Sequence, residues 1–393
     1  MKIKEEIIEV VDSLAKTLIK LSHDVHDFPE LGMCEFKASQ WQTELLREHG
    51  FDVTMPFCGM DTAYKAVKGT VGEGPQIAFL AEYDALKGLG HACGHNIICA
   101  SSCGAAIALA KALEGKKACV YIFGTPAEET LGGKITMVEQ GAFEDIDCAM
   151  MMHPSADENL VGRGGLACTD VGVKFFGKDA HSSRPALGIN ALTSTIALFN
   201  SVNAQLHLWP NKSKVNGIIT AGGEASNIIP GYSECHFALR AERKDQILPM
   251  YQDMVRLAQA AAAITGARVE ISHTPISAER YSNSVLDEAF KANMEVLGEK
   301  CHWPDPEAMV GSSDIGNVSL VVPIIHAYLS LNAGDISGHT PEFRQAAITS
   351  RADDVVLLAA KGLAMTGADV FSSSDMRLAM RGEFNKKVAP HRC

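Results

Sequence analysis

The sequence predicts an α/β chain in which a domain with a mostly parallel sheet flanked by helices is interrupted by an inserted α+β domain with an antiparallel sheet. Three observations carry that prediction. At 393 residues the chain exceeds what one hydrophobic core ordinarily organises. Up to His153, short apolar runs alternate with helix-compatible segments, the pattern of parallel strands joined by crossover helices. At Gly162-Arg163-Gly164-Gly165 that pattern stops, and a different strand spacing begins.

The elements follow in order. The N-terminal segment alternates charges at helical spacing, as an amphipathic surface helix does. Residues 77–84 (IAFLAEYD) read as a buried strand, and the small apolar residues 97–113 as the helix after it. Residues 118–124 form the next strand, and residues 147–152 a third that ends in His153-Pro154. Beyond Gly165 come a strand at 169–177, a helix at 189–206, strands at 215–222 and 232–242, a helix at 245–265 and a strand at 268–273. Strands and two amphipathic helices in that order form one antiparallel sheet covered on one face. Residues 275–282 lead back into helix and strand, including the buried-type run 320–325. The expected domains are therefore 1–165 with 278–393, discontinuous, and 166–277, inserted. The tail 372–393 is polar and reads as partly ordered, and no internal repeat is visible.

Composition narrows the function classes. Hydrophobic residues make up 47%, typical of a globular protein. A net charge of −12 argues against a nucleic-acid or anionic-membrane surface, both of which need a basic footprint. The eleven cysteines are scattered, and the segment MKIKEEIIEVVDSLAKTL has no apolar core of a signal sequence, so a reduced, cytoplasmic setting is expected. Cys34, Cys58, Cys99, Cys103, Cys119, Cys148, Cys168, Cys235 and Cys301 read as small hydrophobes. No apolar run reaches the about 18 residues of a membrane span, since the run 355–360 is cut by Lys361 and Gly362.

Chemistry concentrates at strand ends. Gly90-His91-Ala92-Cys93-Gly94-His95-Asn96 packs three soft or borderline metal donors and two glycines directly after the strand at 77–84, where open α/β sheets place their sites. The strand at 118–124 runs into Thr125-Pro126-Ala127-Glu128-Glu129. Adjacent loop carboxylates project differently, so one can bind a metal while the other handles the proton of an activated water. His153 ends the third strand, and His339 lies in a turn-like Gly338-His339-Thr340. Taken singly, each has an ordinary alternative: a buried core cysteine, a solvated acidic loop, a hydrogen-bonded histidine. His91 reads as a partner of a ligand or as a plain loop residue.

Taken together, these pieces resemble the M20 metallopeptidases, and within them the amidohydrolase branch of aminobenzoyl-glutamate hydrolases, N-acyl-amino-acid amidohydrolases and β-alanyl-lysine dipeptidase types. The resemblance runs from near His23 to near Ala364. It rests on His26-Asp27-Phe28-Pro29-Glu30-Leu31-Gly32, Ala81-Glu82-Tyr83-Asp84-Ala85-Leu86, the 91–96 loop, Pro126-Ala127-Glu128-Glu129, Met152-His153-Pro154, Gly177-Lys178-Asp179-Ala180-His181, Ala225-Ser226-Asn227-Ile228-Ile229-Pro230, the segment 311–317 and Gly338-His339-Thr340.

The resemblance implies that Cys93, His95, Glu129, His153 and His339 hold two divalent metal ions, and that Glu128 is the general base of an amide hydrolysis by activated water. It implies that His181 donates to the carbonyl oxygen, often in a neighbouring subunit's site, and that Asn227 and Arg240 contact the substrate backbone or carboxylate. Asp314 and Asn317 would line the acyl or side-chain pocket. The inserted domain would be a lid and the contact of a homodimer. One departure is that Ser182-Ser183-Arg184 follow His181 where relatives often have small apolar residues. The expected substrate is a small N-acyl amino acid, an aminobenzoyl-glutamate-like conjugate or a dipeptide; a dipeptidase or carboxypeptidase on the same scaffold is the alternative. A metal- or peptide-binding protein without turnover is the reading from another class, and Glu128 speaks against it because a binder needs no base. One thiolate with imidazoles and a carboxylate suits Zn²⁺, while N/O-rich sites also admit Mn²⁺, Co²⁺ or Ni²⁺.

Overall fold

A computed structural model describes residues 2–305, 308 and 310–388, and the chain divides into two compact units, Met1–Gly164 with Arg280–Cys393, and Gly165–Glu279. The first unit opens with α1 (Lys2–Asp27), α2 (Phe36–Glu48), β1 (Asp52–Thr54), β2 (Tyr64–Gly69), β3 (Gln76–Ala81), α3 (His95–Ala112), β4 (Cys119–Gly124), α4 (Gly133–Glu139) and β5 (Cys148–Ser155). The second unit holds β6 (Ala167–Phe176), β7 (Ala180–His181), α5 (Ala191–Gln205), β8 (Lys214–Ala221), β9 (Ile228–Ile229), β10 (Tyr232–Ala241), α6 (Lys244–Thr265) and β11 (Arg268–His273). The chain then returns to the first unit with α7 (Ser284–Val296), α8 (Ile315–Ser319), β12 (Ile324–Ser330), α9 (Pro341–Ala346), α10 (Ser350–Ser372) and α11 (Ser374–Lys387).

In the first unit six strands lie in the order β1-β2-β4-β3-β5-β12. β4, β3, β5 and β12 run parallel, while β2 and β1 add an antiparallel edge. Every residue of β3 and β4 is buried, which explains why these strands read as continuous apolar runs rather than as alternations. Their side chains nonetheless separate by the strand period of two. Ile77, Phe79, Ala81, Val120 and Ile122 belong to a core shared with α1, α3 and α10, whereas Ala78, Leu80, Cys119, Tyr121 and Phe123 pack with Met137, Phe143, Ile315 and Val318 on the other side. Small residues let α3 approach its neighbours closely. A Cβ on Gly104 would stand 2.6 Å from a Leu18 methyl and 3.0 Å from Ala360, so the α1, α3 and α10 contact needs glycine there.

Three sequence expectations are corrected here. The run 320–325 is not one strand: α8 and the turn after it occupy residues up to Val322, and β12 begins at Ile324. The polar tail forms α11, because Met380 and Phe384 recur one helical turn apart and are buried; residues 389–393 lie outside the described residues. α10 is long and apolar enough to cross a membrane by length and composition. Val355, Val356, Ala359, Ala360 and Leu363 of that helix lie in the hydrophobic core, so its apolar character is accounted for by packing.

The second unit is built on a four-stranded antiparallel sheet, β11-β6-β10-β8. β6 alternates buried and accessible residues along its whole length, as expected for a sheet covered on one face. Val171, Val173, Phe175, Phe237 and Leu239 supply the buried face, and Ile247, Met250, Met254 and Leu198 of α6 and α5 cover it. A separate ribbon pairs β7 with β9.

Candidate metal centre

The carboxyl ends of β3, β4, β5 and β12 and the loops that follow them bring the chemistry of the first unit together. After β3 the chain carries Glu82 and Asp84, both buried, and reaches Gly94, whose φ of 81° is the left-handed conformation that glycine adopts freely. A Cβ at Gly94 would fall 2.5 Å from Pro154, so glycine also lets the loop press against the residue after His153. α3 starts at His95, with Gly94 at its N-cap and Cys93 just before it.

Hydrogen bonds fix which ring nitrogen each histidine presents. His95 Nδ1 lies 3.0 Å from Asp84 Oδ1 and 2.9 Å from the Asp84 carbonyl oxygen, so Nδ1 is the donor and Nε2 is the nitrogen left to bind an ion. His153 does the same through Nδ1, 2.7 Å from the Pro154 carbonyl oxygen. This is the arrangement that orients metal-binding histidines. Asp84 also accepts the Glu129 backbone N–H at 3.0 Å, tying two candidate ligands to one buried carboxylate. His339 is held by its own N–H to the Ala92 carbonyl at 2.9 Å, and Thr340 caps α9 directly after it.

The loop after β4 is braced from below. Ala127 sits at φ 58°, unusual for a non-glycine residue, and its N–H donates to Glu35 Oε1 at 2.8 Å. Thr62 Oγ1 donates to Glu35 Oε2 at 2.8 Å. Burial pushes the Glu35 carboxyl up to about 7. Glu128 and Glu129 follow this braced residue and enter the cluster side by side.

Three overlapping groups have donor atoms within 4.8 Å of one another: Cys93 with His95 and His153, Cys93 with Glu129 and His339, and His95 with Glu128 and Glu129. Cys93 Sγ is 3.4 Å from His153 Nε2, Glu129 Oε1 is 3.3 Å from His339 Nε2, and His95 Nε2 is 3.8 Å from Glu129 Oε1. Two ligands at ordinary zinc distances and a tetrahedral angle stand about 3.4 Å apart, so these spacings are those of donors that share an ion. Among the described residues, His95 Nε2 and Glu82 Oε2 are buried without a hydrogen-bond partner. Such atoms ordinarily cost about 1–3 kcal/mol each, and their convergence on one point is what a cation would relieve. The residues therefore fit a pair of transition-metal ions.

Electrostatics separates the two adjacent glutamates. Burial, with Glu82, Asp314 and Glu129 nearby, holds the Glu128 carboxyl well above the ordinary range. Burial also opposes ionisation of Glu129, but the His339 hydrogen bond and the charge of His95 outweigh it and lower that carboxyl. Burial raises the Cys93 thiol and lowers His153 to about 4. For His95 burial is overcome by Cys93 and Asp84, and the imidazole is held well above its ordinary value.

A fourth group, Glu82 with Glu128 and Asp314, already contains a cation. Lys134, with no exposed surface, places Nζ 2.6 Å from Glu82 Oε1 and 2.7 Å from Asp314 Oδ1. Asp314 Oδ2 accepts the Lys134 backbone N–H at 3.0 Å. Both Asp314 oxygens thus contact Lys134. Asn317, in α8, is buried as well. His91 is buried outside the ligand groups, its ring 6.3 Å from that of His26, and burial lowers it to about 3.

In the second unit, His181 ends β7 and is exposed; its Nδ1 accepts from Ser183 Oγ at 2.8 Å and from the Ser183 N–H at 3.1 Å, which leaves the proton on Nε2. The Asn227 carbonyl accepts the Ser182 N–H at 2.9 Å, so Asn227 and His181 lie side by side on the β7-β9 ribbon. Arg240 stands apart in β10, half-buried, opposite Cys168 and Lys214.

Sequence reasoning assigned no role to Glu82, Asp84, Lys134 or Glu35. For Glu82 and Asp84 a signal existed, since two carboxylates two residues apart at the end of an apolar strand precede the histidine-cysteine loop. For Lys134 and Glu35 there was none, because their partners lie far along the chain.

The profile of peptidase family M20/M25/M40 matches residues 73–360. Xaa-Arg dipeptidase of Mus musculus is 35% identical over 408 residues, covering 98% of this chain and 93% of the relative. A p-aminobenzoyl-glutamate hydrolase polypeptide of Escherichia coli is 25% identical, covering 98% and 96%. A solved Bacillus subtilis protein described as a dinuclear metal binding peptidase from the M20 family superposes with a TM-score of 0.65 at 22% identity, covering 91% of this chain and 99% of that one.

Proposed function

The chain belongs to peptidase family M20/M25/M40, and from that premise we propose that it is a two-metal hydrolase that cuts the amide bond of a dipeptide or small N-acyl amino acid. The carrying observation is the convergence of Cys93, His95, Glu129, His153 and His339 around partnerless buried donor atoms, with Glu128 alongside. These five residues would hold the ions. When bound, two divalent ions supply Lewis-acid activation of water and polarisation of the amide carbonyl.

The chain's own groups do the rest. Glu128 takes the proton of the attacking water and returns it to the leaving nitrogen, a task that its raised proton affinity suits. Glu129, held anionic by His339 and His95, stays a ligand. Neighbouring carboxylates whose environments push them apart are the usual mark of divided roles. His181, with its proton on Nε2, donates to the carbonyl oxygen as negative charge develops, and does so in the site of a partner subunit of a homodimer. Asn227 contacts the substrate backbone and Arg240 its carboxylate.

The identity to an Xaa-Arg dipeptidase across nearly the whole chain, above that to the aminobenzoyl-glutamate hydrolase, favours a dipeptide with a basic C-terminal residue. The net charge of −12 would attract such a cation. The test is kcat/KM of metal-verified protein on dipeptides ending in Arg or Lys, on N-acetyl amino acids and on aminobenzoyl-glutamate. Basic dipeptides should lead by about tenfold or more, a difference of one well-placed ionic contact. Preference for aminobenzoyl-glutamate overturns the substrate class, and hydrolysis of none of these amides overturns the enzyme reading.

A further inference from the structure

Glu82 leaves β3 with only 1% of its surface exposed, lodged between an ammonium and an imidazole. Its Oε1 pairs with Lys134 Nζ at 2.6 Å. Its Oε2 has no hydrogen-bond partner and lies 3.4 Å from His95 Nε2. Asp84 accepts the His95 Nδ1–H, so once His95 gives up its second proton to bind an ion, the nitrogen facing Glu82 offers a lone pair. Two lone pairs facing each other across that gap repel, unless a cation lies between them. The gap also matches the about 3.4 Å between two ligands of one tetrahedral ion.

Charge counting leads to the same point. Lys134 faces two carboxylates, Glu82 and Asp314, so this buried trio keeps one negative charge that the ammonium does not cancel. An uncompensated charge in such a place is costly; in the metal-free protein the His95 imidazolium faces it, and in the loaded protein the ion beside His95 is the available counter-charge. The His95 nitrogen cannot both bind an ion and donate a hydrogen to Glu82. In the loaded protein Oε2 therefore needs another partner.

We propose that Glu82 is a sixth protein ligand of the metal centre, binding through Oε2 the ion held by His95 Nε2, while Lys134 fixes the orientation of its carboxylate. This rests on the two-metal reading above, and the experiment separates the two. Glu82→Gln keeps the side-chain length and an acceptor for Lys134 but removes the charged donor. Metal content is read by mass spectrometry after dialysis against buffered Zn²⁺, and coordination by the visible spectrum of the Co²⁺-loaded protein. Wild type should hold two ions. Glu82→Gln should bind the ion at His95 about 100-fold more weakly or worse, beyond the usual effect of an outer partner, with an altered Co²⁺ spectrum. Asp314→Asn disturbs Lys134 without touching Oε2 and should keep both ions.

Unchanged affinity and spectrum in Glu82→Gln overturn the proposal, as does equal loss in Asp314→Asn, which would make the effect one of the Lys134 network. Wild type that binds no ion overturns the two-metal reading itself. Should Glu82→Gln fail to fold, anomalous diffraction from Zn²⁺-loaded wild-type crystals decides: Oε2 at about 2.2 Å from an ion supports the ligand, and any non-bonding distance overturns it.

Discussion

β3 and β4 of the six-stranded sheet expose no residue along their length, whereas β6 and β10 of the four-stranded sheet alternate buried and accessible positions. The difference decides what a polar residue experiences on leaving a strand. From β3 and β4 the chain enters surroundings already stripped of water, so Glu82, Asp84 and Glu128 meet partners or have their proton affinities moved. Around β7 and β9 the polar residues His181, Ser182, Ser183 and Asn227 are exposed; Ser183 donates to the His181 ring, and the Ser182 N–H donates to the Asn227 carbonyl. Buried groups build a rigid charged centre, whereas the exposed ones keep polar atoms open to solvent.

The largest effect should come from the buried centre. Chelation should take amide hydrolysis to background, and a divalent transition metal should restore it; full activity in protein verified as metal-free breaks the contrast at its root. The exposed ribbon should matter for turnover and not for metal. His181→Ala should lose about 10²–10³-fold in kcat with metal content intact. Mixed with Glu128→Gln in exchanged homodimers, it should recover activity in about a quarter of sites under random pairing. No recovery in proven mixed dimers removes His181 from a partner's site.

Proton release sharpens the comparison further. In the metal-free protein Cys93 is raised by burial, and His95 by Cys93 and Asp84, so both hold protons at pH 7 that an ion must displace. His153, lowered to about 4, is already neutral. Metal affinity should therefore rise with pH, and calorimetry in buffers of different ionisation heat should count about two protons released at pH 7. Release of none would contradict the buried state of these groups.

A smaller effect concerns Glu35. Its folded value of about 7 lies above the ordinary 4.5, so its contribution to stability is full below 4.5 and is lost as pH rises through about 7. Glu35→Gln should flatten that part of the pH profile by a few kcal/mol at most. Thermal melts of the metal-free proteins at pH 5 and pH 8 check it, and parallel profiles for mutant and wild type would contradict it.

The same contrast explains what the sequence disclosed. Cys93, His95, Glu128, Glu129 and His153 were legible because they are chemically unusual residues placed just after continuous apolar runs, and those runs come from strands buried on both faces. The alternating strands of the second unit were legible from their period of two. The Lys134 pair with Asp314 was not, since 180 residues separate the partners and neither has a local signature. α11 was misread because its composition is polar and only Met380 and Phe384 are buried. The run 320–325 was misread because a buried helix and turn are as apolar as a buried strand.

In the proposed mechanism two adjacent carboxylates at one strand end divide the labour, one as a base and one as a ligand. Metal content and turnover measured together on Glu128→Gln and Glu129→Ala test it most directly. Glu128→Gln should retain both ions and lose turnover by about 100-fold or more, while Glu129→Ala should lose metal together with activity. Equal metal loss in both variants, or full turnover in Glu128→Gln with its metal in place, would contradict it.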